Sequence, residues 1–125
     1  MSHSKGQLEA RISEAIIKFE REYMGRGPEE AKSYLVEDLV VVRLRGVLTP
    51  AERQLARSDV NEQGRNLIKQ VRMELLERGR PLLEDIVTTI TGQKVRSLHT
   101  DISTITGERI IVFSLSGPVL PPEAP

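Results

Sequence analysis

The spacing of the apolar residues changes along the chain from helical to extended, then repeats that change, and this order strongly constrains the fold. Between about residues 7 and 24, apolar side chains recur every three or four positions, which places them on one stripe of an amphipathic helix. The stripe consists of Leu8, Ile12, Ile16, Phe19 and Tyr23. Gly25 and Pro28 are expected to end this helix, because glycine accepts a left-handed backbone and proline disfavours continuation.

Four segments have strand composition and pair into two predicted hairpins. They are residues 31–36 with 39–46, and residues 94–102 with 108–115. In the second segment Val40, Val42 and Leu44 point to one side, the alternation typical of an antiparallel sheet with one buried face. In the third segment Val95 and Leu98 fall on opposite faces, which predicts a bulge.

Helices are expected between the two hairpins. Thr49, Pro50 and Glu52 form a capping-box start for a short helix that ends near Arg57. A longer helix is predicted over residues 61–78. Because proline lacks a backbone N–H, residues 79–81 should break or sharply kink this helix, and separate it from a further helix of different direction that ends at Gly92.

The resulting order is α-ββ-ααα-ββ, which predicts a two-layer α+β domain with a mostly antiparallel four-stranded sheet. A length of 125 residues suits one domain. We assign residues 1–116 to it and expect the proline-rich residues 117–125 to be a disordered tail.

Composition excludes several classes of function. The net charge of zero argues against nucleic-acid binding, and the absence of cysteine together with only two histidines argues against a metal site. No apolar run approaches the roughly 20 residues that cross a bilayer, and the N-terminus lacks a secretory signal. We therefore expect a soluble cytoplasmic protein with no membrane insertion and no cofactor.

Positive charge is concentrated in the middle of the chain. Residues 43–80 contain eight arginines and one lysine against five acidic residues. Because guanidinium groups bind carboxylate and phosphate in bidentate fashion, this section contains the candidate anion- or partner-binding residues. They are Arg43, Arg45, Arg65, Arg72 and Arg80. In the alternative interpretation, these side chains border the core and pair with nearby glutamates.

His99 and Asp101 are the closest approach to acid–base chemistry in the sequence. They alternate onto one strand face, where a carboxylate can orient an imidazole. A nucleophile in hydrogen-bond contact is missing from the pattern, so a structural or interface role for this pair is favoured over catalysis. We expect no catalytic residues and a non-enzymatic protein.

Several motifs together resemble the MpsC-like family, long catalogued as a domain of unknown function. The resemblance covers residues 8–115 and is concentrated in Gly25-Arg26-Gly27-Pro28, residues 39–52, Arg72, Arg80-Pro81, Thr91-Gly92 and residues 99–109. It implies association with a cation-translocating, membrane-potential-generating system linked to bicarbonate uptake. It brings no catalytic residues.

Two functions follow from these observations. The first is a non-enzymatic accessory or regulatory protein of a membrane cation/bicarbonate transport system, with a transporter subunit as partner. The second is a small anion- or nucleotide-binding regulator that uses residues 43–80. We also expect a homodimer that buries a strand edge or the N-terminal helix, because a small open sheet leaves unpaired edges, and residues 39–44 are apolar for an edge.

Overall fold

Three helices and four strands form the described part of the protein, residues 4–57 and 62–119 of the computed structural model. In chain order they are α1 (Lys5–Met24), β1 (Glu30–Val36), β2 (Leu39–Arg45), α2 (Pro50–Ala56), α3 (Glu62–Thr91), β3 (Val95–Ile102) and β4 (Arg109–Leu115). The predicted α+β class is confirmed. The observed order is α-ββ-α-α-ββ, with one helix fewer than expected.

The strands form one antiparallel sheet in the order β1-β2-β4-β3. Val40, Val42 and Leu44 of β2 are fully buried, as their alternation predicted. The register of β3 against β4 shifts between Val95 and Ser97, which confirms the predicted irregularity. The expectation that residues 39–44 form an edge is wrong, because β2 pairs with both β1 and β4 and its apolar side chains belong to the sheet centre.

One face of the sheet packs against the helices and forms the core. α1 contributes Leu8, Ile12, Ile16 and Phe19, which are the predicted stripe without Tyr23. The sheet contributes mainly Leu35, Val40, Val42, Leu44, Ile111, Phe113 and Leu115. The predicted end of α1 and the predicted start of α2 are present: Gly25 is left-handed after α1, and Thr49 and Glu52 form the capping box of α2. α1 begins two residues earlier than expected, at Lys5, after a capping box formed by Ser4 and Gln7.

The predicted break at residues 79–81 is wrong, because α3 runs continuously through Pro81. Proline removes one helical hydrogen bond and crowds the preceding turn. Packing on both sides of the proline offsets this cost: Leu76 and Leu83 are buried in the core, and Gly79 lies directly against Phe19. A Cβ atom at Gly79 would lie 2.5 Å from the Phe19 ring, so α1 and α3 approach each other where only glycine fits.

Two predicted features lie partly outside the described residues. The first is the start of the long helix, which was expected at Asn61, and the second is residues 120–125 of the expected tail. At Val119 the backbone N–H donates a hydrogen bond of 3.3 Å to the carbonyl oxygen of Glu37, and the side chain packs against the core.

Candidate functional site

Arg72 lies inside the molecule, where α2, α3 and the end of β2 meet. Its Nε and Nη2 atoms donate to the two carboxylate oxygens of Glu52 at 2.8 and 2.6 Å, and Nη2 also donates to the carbonyl oxygen of Val47 at 2.8 Å. Only 2% of Arg72 is exposed. The predicted anion-binding arginine is therefore already paired, in bidentate geometry, with a carboxylate of its own chain.

Glu20 and Arg109 extend this pair into a buried network of four charged residues. One carboxylate oxygen of Glu20 lies 3.8 Å from Nη1 of Arg72, and the other lies 3.8 Å from Nη1 of Arg109. These distances exceed hydrogen-bond length, and among the described residues neither oxygen has a hydrogen-bond partner. The network links α1, α2, α3 and β4 and carries no net charge.

Burial and neighbouring charges act against each other in this network. Burial raises the pKa of the Glu20 carboxyl above its ordinary value, although Arg109 and Arg72 oppose the shift. Burial also lowers the pKa of the Arg109 guanidinium, against the attraction of Glu20. At Glu52 burial again favours the neutral form, but hydrogen bonds from Arg72 and from the Thr49 backbone outweigh it and lower the pKa.

The sequence analysis did not identify Glu20 or Arg109 as network members. A signal for each is present: Glu20 follows Ile16 by four positions on the buried stripe of α1, and Arg109 alternates with Ile111 and Phe113 on the buried face of β4. A polar residue on an apolar face indicates a buried partner of opposite charge. That signal does not say which residue the partner is.

Arg43 and Arg45 lie on β2 and are paired with carboxylates. Nε of Arg43 lies 2.6 Å from an oxygen of Glu108, and Nη1 of Arg45 lies 3.5 Å from an oxygen of Glu30. Both arginines line a cleft of about 640 Å³, which we call the mixed cleft because two of its lining residues are acidic. Its charged and hydroxyl-bearing residues are Glu29, Arg43, Arg45, Arg53, Thr106 and Glu108.

Arg80 lies on the C-terminal half of α3 and does not line the mixed cleft. Its Nε atom donates to Glu84 at 2.7 Å, and Nη1 lies 3.7 Å from Glu77. The hydrogen bond to Glu84 raises the pKa of this guanidinium. Arg80 therefore belongs to a solvent-exposed charge cluster within one helix.

His99 and Asp101 lie on the same side of β3 but interact with different partners. The Nε2 atom of His99 lies 3.2 Å from the Ser97 hydroxyl. One oxygen of Asp101 accepts from the backbone N–H of Ile102 at 2.8 Å and from Lys69 at 3.3 Å. The hydrogen bond from Ile102 and, to a smaller extent, the interaction with Lys69 hold the pKa of Asp101 below its ordinary value. The contacts are those of a surface strand.

A second cleft, of about 660 Å³, adjoins the mixed cleft and shares Gly46, Arg53 and Thr106 with it. We call it the arginine cleft. One wall of this cleft carries arginines from α2, from the C-terminal end of α2 and from α3, and the turn between β3 and β4 forms the other wall. The principal residues that line the cleft are Arg53, Arg57, Arg65, Thr104, Ile105 and Thr106. Of the predicted arginines only Arg65 lies here.

Arg53 and Arg57 were missed as site residues, although both belong to the arginine-rich section. Their spacing of four positions is the signal for a shared face, because residues four apart are neighbours on a helix surface. The sequence does not say that this face meets the β3–β4 turn. In the fold, a hydrogen bond of 3.1 Å from the backbone N–H of Val47 to the carbonyl oxygen of Gly107 joins the segment before α2 to this turn.

The sheet face opposite the helices is partly apolar. The strand register places Tyr34, Val41, Val112 and His99 in one row across all four strands. Tyr34 and Val36 are 43% and 49% exposed, and no described helix packs on this side. We call these residues, with Val36, the open sheet face; a mixed surface of this kind is typical of protein contacts.

Within the described ranges, 4–57 and 62–119, no three metal-ligating side chains gather closely enough to hold an ion. In the same ranges no helix combines the length and the apolar content that crossing a bilayer requires.

Comparison with known proteins gives a family and one similar relative. The family model described as "Na+-translocating membrane potential-generating system (MpsC)" matches residues 4–117. The uncharacterized protein YbcI of Bacillus subtilis (strain 168) is 46% identical over 76 residues, which are 61% of this chain and 59% of that relative's length. No solved structure gives a significant match. Because the family model covers nearly the whole described chain, the resemblance inferred from the motifs is confirmed and the chain belongs to the MpsC family.

Proposed function

We propose that this protein is a non-enzymatic accessory or regulatory component of a membrane cation/bicarbonate transport system, acting in the cytoplasm by binding another protein. The observation that carries the proposal is the MpsC family match over residues 4–117, since that family is described by a membrane-potential-generating system. The three arginines that line the mixed cleft are each paired with a carboxylate, which favours binding over catalysis.

The open sheet face supplies the surface for such a partner. Tyr34 and Val36 expose large apolar area at its β1 side, while Val41 and Val112 lie half-buried at its centre. Basic and acidic groups border it, at Lys32 and Asp101. An apolar centre with a charged rim is the usual anatomy of a protein interface.

Affinity capture from the membranes of the protein's native cells tests this role. The tagged wild-type protein should retain a subunit of a cation transporter after mild crosslinking, identified by mass spectrometry. Val36→Lys should lose that subunit, because a charge would be buried in the interface. The matched control is Met73→Lys, on the outer side of α3, where the side chain is 61% exposed.

Two results contradict the proposal. One is that no membrane transport protein is retained by the wild type beyond the amount retained by an unrelated tagged protein. The other is that the Val36→Lys and Met73→Lys variants retain the same set of proteins as the wild type. The second result leaves the family assignment intact but excludes the open sheet face.

A further inference from the structure

We propose that the buried charge network holds a resident water molecule. The water joins the Glu20 carboxylate to the guanidinium groups of Arg72 and Arg109, at the place where α1, α3 and β4 meet in the interior. This site is separate from the open sheet face and from the transport role proposed above, so each proposal can fail without the other.

The first argument is the number of polar atoms in this network that lack a hydrogen bond. Among the described residues, five buried side-chain atoms have no hydrogen-bond partner, and all five belong to Glu20, Arg72 and Arg109. They are both carboxylate oxygens of Glu20, Nη1 of Arg72, and Nε and Nη1 of Arg109. Buried polar groups in folded proteins are nearly always satisfied by the protein or by an ordered water. The cluster therefore points to a polar ligand inside the fold.

Bulk solvent does not satisfy these atoms. The side chains of Glu20, Arg72 and Arg109 are only 1%, 3% and 2% exposed. A water bound at this depth leaves only when the protein opens locally, so it should stay bound far longer than a water on the surface.

The distances in the network suit a bridging water. Each oxygen of Glu20 lies 3.8 Å from an Nη1 atom, one from that of Arg72 and the other from that of Arg109. This separation is too long for a direct hydrogen bond. A water oxygen can lie about 2.8 Å from both members of such a pair, within hydrogen-bond distance of each.

The charges around the site favour a neutral ligand over an ion. Guanidinium N–H groups only donate hydrogen bonds, whereas an ionised carboxylate only accepts them. Water does both, so it can accept from either arginine and donate to Glu20. A small anion would be repelled by the Glu20 carboxylate, and a metal cation would be repelled by Arg72 and Arg109.

The route by which this water exchanges with solvent passes α2. Glu52, on α2, is the most exposed member of the network, with 19% of its side chain accessible. It binds Nε and Nη2 of Arg72, while Nη1 of the same guanidinium faces Glu20. If α2 moves away and takes Glu52 with it, solvent reaches Arg72 from that side. Weakening the start of α2 should therefore shorten the residence time of the water without removing the site.

Magnetic relaxation dispersion of the water oxygen-17 nucleus tests the site in the full chain, because it detects water that stays bound for longer than the protein takes to tumble. The wild type should give a dispersion that corresponds to at least one bound water. Glu20→Met combined with Arg109→Met should remove that contribution. This double replacement takes away one charge of each sign and leaves the pair of Arg72 with Glu52 in place, so the fold should be retained, which the melting temperature checks.

The matched control is Arg80→Met combined with Glu84→Met. These residues form an ion pair of 2.7 Å on α3, with 36% and 34% of their side chains exposed. The control should keep the dispersion of the wild type, because water around an exposed pair exchanges rapidly.

The residence time of the water is measured after the protein has been cross-linked into a gel, which stops it from tumbling. Thr49→Ala removes the side-chain cap of α2, in which the Thr49 hydroxyl oxygen accepts from the backbone N–H of Glu52 at 3.1 Å. It should shorten the residence time at least about threefold, because loss of a cap shifts the opening equilibrium by such a factor. Ser4→Ala removes the equivalent cap of α1 and should leave the residence time unchanged.

The water site is overturned if the wild type shows no long-lived water, or if the double replacement of Glu20 and Arg109 keeps the wild-type dispersion. A high-resolution crystal structure of the wild type decides independently of whether that variant folds. A water within hydrogen-bond distance of Glu20 supports the site, whereas direct hydrogen bonds from Arg72 and Arg109 to Glu20, with no water between them, overturn it. A residence time that is unchanged in Thr49→Ala overturns the exchange route past α2.

Discussion

Arg72 illustrates how a charged residue on a predicted helix can belong to the core. Sequence periodicity places it at the border of the apolar stripe of α3, where a solvent-exposed guanidinium is the usual outcome. In the fold it is 2% exposed and bound in bidentate fashion to Glu52, with Glu20 nearby. A charge so deeply buried is stable only because opposite charges surround it.

Replacing Arg72 with methionine should destabilise the protein by about 3–5 kcal/mol, because the Glu52 carboxylate would lose its bidentate partner and Glu20 would keep only Arg109 nearby. Urea unfolding followed by circular dichroism measures this change. Arg80→Gln is the control, since the Arg80 pairs are solvent-exposed and contribute about 1 kcal/mol or less. A loss of stability in Arg72→Met no larger than that in Arg80→Gln would contradict the role of the buried network.

Glu20 should give the unfolding free energy an unusual pH dependence. Its pKa in the folded protein lies above the ordinary value of 4.5, so between these two values the native state binds the extra proton. Stability contributed through Glu20 therefore rises as the pH falls from the folded pKa towards 4.5. Glu52 has the opposite sign: its pKa is lowered, and its contribution is lost as the pH falls below 4.5.

The comparison of wild type with Glu20→Gln isolates the first of these effects. The unfolding free energy of both proteins is measured with urea at a series of pH values from 7 to 4. The unfolding free energy of the wild type, relative to that of Glu20→Gln, should increase as the pH falls towards 4.5, because the glutamine cannot take up a proton. Parallel pH curves for the two proteins would show that Glu20 has the same pKa in the folded and unfolded states.

The candidate sites were predictable from the sequence only as a region. The excess of arginine in residues 43–80 correctly indicated where basic side chains accumulate. It did not separate Arg72, whose partners come from α1 and α2, from Arg65, which faces a cleft. Those partners are far away in the chain, and contacts between distant segments leave no periodic signal in a single sequence.

At the scale of elements, α3 shows tertiary packing overriding a local preference. Proline normally ends or kinks a helix, yet α3 continues across Pro81 because its two halves bury Leu76 and Leu83 in one core. The capped start of α2, the strand alternation and the β3 irregularity were predictable, since each depends on residues close together in the chain. The continuity of α3 was not, because it depends on Phe19 in another element.

Gly79→Ala tests the close approach of α1 and α3. Alanine usually stabilises a helix relative to glycine by about 1 kcal/mol, but here its Cβ would lie 2.5 Å from the Phe19 ring. We expect a net destabilisation of about 1–3 kcal/mol from overpacking, measured by urea unfolding. Gly6→Ala, in α1 with nothing within 4 Å of the added Cβ, should instead be neutral or slightly stabilising. A stabilised Gly79→Ala would show that the helices separate easily.

At the scale of the whole molecule, the sheet has two edges and one uncovered face. The edges at β1 and β3 are partly blocked: the backbone N–H of Leu35 donates to Glu9 at 2.8 Å, and that of Ile102 donates to Asp101 at 2.8 Å. Side chains that cap an edge strand disfavour pairing with another sheet. These contacts disfavour the predicted dimer through a strand edge, and the apolar stripe of α1 is already buried in the core. We therefore propose instead that a homodimer forms through the open sheet face, in competition with the transporter subunit.

Light scattering coupled to size-exclusion chromatography should give the mass of a dimer at tens of micromolar, on the order of ordinary assay concentrations. Val36→Lys should shift the protein towards the monomer, whereas Met73→Lys, with a more exposed side chain on α3, should not. A monomeric wild-type protein would exclude the dimer. A dimer unaffected by Val36→Lys would place it on another surface.

The short helix α2 has no buried residue, although it carries Arg53 and ends beside Arg57 at the arginine cleft. Its strongest contact with the rest of the fold is the bidentate ion pair between Glu52 and Arg72, which belongs to the buried charge network. Further side-chain contacts hold α2 to the rest of the fold: Arg53 pairs with Glu29 at 3.2 Å, and Nη1 of Arg65 contacts the carbonyl oxygen of Ala56 at 3.4 Å. We expect amide hydrogen exchange to be faster in α2 than in α1 or α3, because a helix that buries no side chain opens locally at a lower free energy.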